Sequence, residues 1–240
     1  MKRYICAAIR PLENEPFEVI YEYAINPRTS PDTLHRLAQS CGTLVKVGII
    51  NNPNVSMDTL ALLADDDASL VRETLAMRTK TTLQILDKLA EDPVYTVRRK
   101  VAANPMTPLR ILTKLAKDKE YVVRVAVARN PKASPSLLRR MAKHDATLAF
   151  KVLSNPSCPH EVAEDLLGCN SYIRSELAMH PDVPSDILSI LAHDPNRDVV
   201  IGAIMNPNTP VEDIKEYINN DDYILRENAK VALAKRGVEV

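Results

Sequence analysis

Apolar and polar positions along this chain repeat in blocks of 25–26 residues. The clearest marker is an asparagine, most often followed by proline. It falls at Asn26, Asn52, Asn104, Asn130, Asn155 and Asn206, and aligning the neighbours puts Arg78 and His180 in the same slot. Successive spacings are 26, 26, 26, 26, 25, 25 and 26. Eight residues after the anchor stand Leu34, Leu60, Leu86, Leu112, Leu138, Ala163, Leu188 and Ile214. Eleven after it stand Leu37, Leu63, Leu89, Leu115, Met141, Leu166, Leu191 and Tyr217, and the next slot is mostly alanine. Apolar residues at i, i+3 and i+4 mark one face of a helix. This helix is expected to be the longer one of each unit. Thr107-Pro108, Thr209-Pro210, Ser30-Pro31 and Ser134-Pro135 read as hydroxyl N-caps ahead of a proline at the first helical position. Thr209 with Glu212 fits a capping box.

A second, short helix follows in each unit: Val71-Arg72-x-x-Leu75-Ala76, Val97-Arg98-x-x-Val101-Ala102, Val123-Arg124-x-x-Val127-Ala128 and Ile173-Arg174-x-x-Leu177-Ala178. Proline pushes the residue before it out of the α region, so this helix ends at the anchor. No stretch alternates with period two, and no strand is expected. One such unit cannot bury its apolar face alone, and stacking on neighbours does so. The predicted fold is all-α, about eight two-helix repeats in a single domain over 1–240. Residues 1–25 form a partial leading unit, 26–220 the repeats and 221–240 a closing helix.

Composition agrees. Five glycines argue against many hairpins, and 17 prolines suit regular punctuation between helices. No apolar run is long enough to span a membrane. The N-terminal Tyr4–Ile9 stretch is too short for a signal peptide. The four cysteines form no C-x-x-C pair. A reducing, cytoplasmic setting is therefore expected, with no disulfide framework and no zinc site.

The unit at 104–131 carries Asn104, Pro105, Thr107, Pro108, Leu112, Leu115, Ala116, Asp118, Val123, Arg124, Val127, Ala128, Asn130 and Pro131. This pattern resembles the variant leucine-rich repeat family, over roughly residues 17–231. The resemblance implies a right-handed superhelical solenoid in which α-helices alternate with short, often 3₁₀, helices. It also implies a HEAT-like neighbourhood of folds. A cysteine-rich iron–sulphur segment can precede such repeats in relatives. Here only Cys6 is available, so neither a cluster nor any other cofactor is expected.

The anchor asparagines read as structural, tying up backbone groups where each helix ends. Lys46, Arg72, Arg98, Arg124, Arg174 and Arg226 share one slot, six residues after Asp66, Asp92 and Asp118 in the preceding turn. An arginine–aspartate bridge that fixes this turn is expected.

Charge supplies the functional clue. The formal net charge is zero, yet residues 98–151 carry 14 Lys/Arg against 3 Asp/Glu, while 152–240 carry 7 against 15. Lys88, Arg110, Lys114, Lys117, Arg139, Arg140 and Lys143 form a candidate basic stripe on the outer side of the first helices. A phosphate-cradling glycine loop, a nucleophile elbow and a histidine pair at metal spacing are all missing from the sequence. The first expectation is a non-catalytic scaffold that binds another protein through the solenoid surface; an acidic peptide along the stripe is a lesser expectation. The second is nucleic-acid binding through the stripe, electrostatic because aromatics for base stacking are few. No membrane or small-molecule substrate is expected. Head-to-tail self-association, basic middle against acidic C-terminal third, is a further expectation.

Overall fold

The computed structural model describes residues 15–143 and 145–239. The leading residues with Cys6, and His144, lie outside the described residues. The chain divides into two compact units, Met1–Lys132 and Ala133–Val240. Unit 1 contains α1 (Phe17–Ile25), α2 (Pro31–Ser40), α3 (Thr43–Asn51), α4 (Met57–Leu63), α5 (Ser69–Met77), α6 (Leu83–Leu89), α7 (Tyr95–Ala103), α8 (Leu109–Leu115) and α9 (Tyr121–Ala128). Unit 2 contains α10 (Pro135–Ala142), α11 (Ala146–Leu153), α12 (Glu161–Leu167), α13 (Ser171–Met179), α14 (Ser185–Ala192), α15 (Arg197–Met205), α16 (Val211–Lys215) and α17 (Tyr223–Lys235). Among the described residues every helix is α and no strand occurs. No described helix is long and apolar enough to cross a membrane.

Long and short helices alternate: α2 is longer than α3, 10 residues against 9, whereas from α4 to α8 the helix after the anchor is the shorter. The helix after the anchor spans 7 residues in α4, α6 and α8, whereas α5 and α7 span 9. The reason is local. Each first helix closes after its alanine, at Ala64, Ala90 or Ala116, because a turn aspartate follows. Asp66, Asp92 and Asp118 accept the backbone N–H two residues on, at 3.0, 2.9 and 2.9 Å. The second helix meets no such stop until the anchor, where the backbone turns extended at Asn52 and Asn104. Neither helix is 3₁₀ among the described residues.

The leucines of the first helices and the Val/Leu/Ala of the second are buried together, from Leu34 and Leu37 to Leu188 and Leu191. Each such Leu contributes about 1.5–3 kcal/mol by leaving water. In unit 1 the second helices stack α1–α3–α5–α7–α9, and in unit 2 α13–α15–α17. Two glycines sit four residues before an anchor where these helices approach closely. A Cβ on Gly48 would lie 3.2 Å from Ile25, and one on Gly202 would lie 3.1 Å from Ala178. The closing helix α17 covers Val200, Ile204 and Ile214 with Ala229, Ala232 and Leu233.

The hydroxyl caps divide into two kinds. Ser30 and Ser134, four residues past the anchor, accept from Thr33 N–H and Leu137 N–H as N-caps. Thr107 and Thr209 stand one residue earlier in the register and do not cap. Their hydroxyls are buried and donate back to the carbonyls of Val101 and Ala203, and proline takes the cap position. The Thr209–Glu212 capping box is therefore not formed. Glu212 instead pairs with Lys215 at 3.0 Å.

Candidate functional site

Two internal ladders define what is regular in this molecule. The anchor asparagines form one. Asn104 Nδ2 donates to the carbonyls of Ala76 (2.7 Å) and Arg78 (3.1 Å), and its Oδ1 accepts from Met106 N–H. Asn52, Asn130 and Asn206 repeat the pattern against their own preceding repeats. Asn26 and Asn155 hold their own turns through Oδ1. A buried amide with both ends satisfied offsets the cost of desolvating those carbonyls. Arg78 does the same work with a guanidinium, donating to the carbonyls of Ile50 and Asn52. At the far end Arg236 donates to those of Asn206 and Thr209.

The second ladder corrects an expectation. Arg72 and Arg98 do not form their ion pairs with Asp66 and Asp92, the carboxylates six residues earlier. They donate to the backbone carbonyls of those residues. The ion pair is made with the aspartate twenty residues later, in the next repeat: Arg72–Asp92, Arg98–Asp118 and Arg174–Asp194, each at 2.6 Å. Lys46–Asp66 follows the same spacing at 2.6 Å. A repeat rises by one helix layer before its Asp turn returns, which brings the later residue alongside. These pairs are largely shielded from solvent. The hydrogen-bonded Arg98 guanidinium holds the Asp118 carboxyl below its ordinary range, and Asp118 in turn raises Arg98. The ladder is broken twice in unit 2, where Ala149 faces the Cys169 slot and Val200 the Asn220 slot. Both members are lost together each time.

The candidate basic residues fall into two groups. In unit 1 most are neutralised across repeats. Lys88 pairs with Asp65, Arg110 with Asp87 and Lys114 with Glu91. Lys117 is exposed at the end of α8, in the slot where the two preceding repeats hold Asp65 and Glu91. In unit 2, Arg139, Arg140 and Lys143 are exposed at the end of α10. Arg139 lies 3.5 Å from Asp165 on α12. Arg140 and Lys143 have no carboxylate within 4 Å among the described residues.

These three cations rim a groove of about 750 Å³ between α10, α11 and α12. Its inner wall holds Ala146, Ala149, Leu166 and Cys169, and Asp145, the N-cap of α11, lines it as well. The groove sits where the repeat is least regular. The anchors here are 25 apart, and His180 replaces Asn. The Phe150 ring stacks on His180 at 6.2 Å. The helices α11 and α13 pack on α12 but not closely on each other, unlike the other consecutive second helices within each unit. His180 is half-buried, and burial pushes its proton affinity down. Its Nδ1 accepts from Asp182 N–H at 3.3 Å, standing in for an asparagine oxygen.

Ala149, Cys169 and Asp165 were not singled out as site residues from sequence. The signal that finds them is the joint loss of Arg and Asp at positions twenty apart. No cluster of three or more His, Cys, Asp or Glu among the described residues is placed to hold a metal.

No family model and no curated protein matches this sequence. Among solved structures, the chain is similar to a protein described as a leucine-rich repeat variant with a novel repetitive structural motif. The TM-score is 0.62 at 22% identity, over 88% of this chain and 85% of that one. A designed armadillo repeat protein aligns over 92% of this chain and 95% of that chain at 13% identity, with a TM-score of only 0.20.

Proposed function

We propose that this chain, whose fold is that of a leucine-rich repeat variant, is a non-catalytic binding scaffold that receives an acidic protein segment at the groove of unit 2. One observation carries the reading. At this groove, one of two steps in unit 2 where the repeat's own Arg–Asp pair is missing, three cations stand beside two lining carboxylates, Asp145 and Asp165. Asp165 offsets only Arg139. Arg140 and Lys143 remain available to donate to a partner's carboxylates.

Exposed pairs contribute only about 0–1 kcal/mol each. Recognition therefore needs several contacts together and weakens with salt. Binding along a nucleic-acid backbone needs a run of unpaired cations to release counterions. The pairing of Lys88, Arg110 and Lys114 interrupts that run, which favours the protein reading.

The test is a fluorescence-anisotropy titration of an Asp/Glu-rich peptide, with a duplex DNA of equal charge alongside. The peptide is expected to bind at low salt, and R140E/K143E is expected to abolish binding while leaving the helical signal unchanged. Equal binding by that variant would overturn the site. Preference for the DNA would replace the acidic peptide with nucleic acid as the partner.

A further inference from the structure

The outer faces of the first helices in unit 2 carry opposite charge at their two ends. The helices α10, α12, α14 and α16 pack in that order. At the α10 end stand the exposed Arg139, Arg140 and Lys143. Toward the other end stand the exposed Asp186, Glu212 and Glu216. Between them α12 adds Glu161 and Glu164, and α14 adds Ile190, a large apolar side chain 55% exposed. Part of this acid is paired on the face itself: Lys215 lies 3.0 Å from Glu212, and two histidines sit against the other carboxylates. His160 lies between Asp186 (2.8 Å) and Glu164 (3.3 Å), and His193 lies against Glu216 (2.9 Å).

We infer that unit 2 pairs with a second copy of itself through the outer face of α10, α12, α14 and α16. A surface positive at one end and negative at the other is self-complementary under a half-turn. The basic end of each copy then meets the acidic end of the other, twice over, in a closed twofold dimer. Arg140 and Lys143 of one copy face Glu212 and Glu216 of the second, and Ile190 lies near the axis, where water is excluded first. This deepens the reading of the groove as a receiver of carboxylates and rests on it, naming the chain's own acidic end as the occupant. The slot ten residues after each anchor supports the pairing of the two ends. It reads Arg140, Asp165, Ile190, Glu216 along the stack, so reversing the order sets Arg140 opposite Glu216 at each end, with Asp165 and Ile190 on either side of the axis.

The experiment is sedimentation of the full chain at about 100 µM, in about 20 mM and about 1 M salt, where the screening length shrinks to roughly 3 Å. A doubled mass at low salt that falls to the single-chain mass at high salt is expected. R140E/K143E and E212K/E216K should each sediment as single chains, and their equimolar mixture should restore the doubled mass. A wild-type chain that stays single at low salt overturns the inference, as does a mixture that fails to pair. The peptide titration separates this from the reading beneath it. E212K/E216K keeps its basic groove, so it should still bind the acidic peptide. Peptide binding by a chain that never dimerises sinks the dimer alone. Loss of both sinks the groove.

Discussion

Two grooves of this molecule are built from the same slots of the repeat. In unit 1 the groove of about 430 Å³ is lined by Ala64, Asp65, Arg72, Lys88, Leu89 and Asp92. In unit 2 the same slots hold Ala142, Lys143, Ala149, Asp165, Leu166 and Cys169. The first is crossed by the Arg72–Asp92 and Lys88–Asp65 pairs. The second has lost the inner pair and exchanged the signs of the outer one, and its volume is about 750 Å³. A repeat array makes this comparison unusually clean, because backbone and neighbours are nearly constant. The difference teaches that a scaffold opens a site by deleting an internal contact at one step of the ladder.

The strongest way to break the comparison is to delete half of an intact pair. R98A leaves Asp118 shielded without its partner, and a loss of about 3–5 kcal/mol is expected. The urea midpoint of the full chain measures it. R98A/D118C, which copies the open groove's chemistry, should lose less than the sum of its two single variants. Additive losses would show that the pair is not coupled.

An anchor comes next. N104A removes two donors and one acceptor from a buried joint, and a cost of about 1–3 kcal/mol is expected.

The open groove can also be closed. A149R/C169D restores the ladder where it is missing. It should cut acidic-peptide affinity about tenfold, or about 1.4 kcal/mol. Undiminished binding would place the peptide elsewhere.

A smaller, pH-dependent effect sharpens the irregular repeat. Burial depresses His180 below its ordinary value of 6.5. The unfolded chain therefore takes up the proton first, and this residue's contribution is complete above that pH and lost as pH falls. His160 and His193 act in the opposite sense. Asp186 raises His160, and the Ser189 carbonyl with Glu216 raises His193, so each adds stability that is lost as pH rises. The difference between wild type and H180N isolates the first effect. H180N should gain on wild type between about pH 7.5 and about pH 5.5, read as the shift in Tm. An unchanged difference would show that His180 takes up its proton equally readily in the folded and unfolded chain. Smallest of all is K114A, which breaks an exposed pair with Glu91 and should change stability by only about 0–1 kcal/mol.

The repeat period, both helices and the anchor slot are all legible along the chain, because each depends on neighbours within a few residues. The pairing of Arg98 was misread for the opposite reason. Its nearest carboxylate in sequence is Asp92, whereas its partner in space is Asp118, one layer on. Only the stacking register decides between them. The same limit hid the pairing of Lys114 with Glu91, which lies 23 residues back. Thr107 was misread by a single place. One residue of register separates a hydroxyl that caps the next helix from one that closes the last.

The asparagine ladder has a consequence for how such a chain changes over generations. Every joint at Asn52, Asn104, Asn130 and Asn206 is made from the same atoms, reaching back to the same two carbonyls. A block excised or copied from one anchor to the next therefore leaves matching ends. Unequal exchange between gene copies could lengthen or shorten this protein by 26 residues without orphaning a buried amide. Arg236 would still terminate the series. A block copied together with its open groove would add a second receptor in one step.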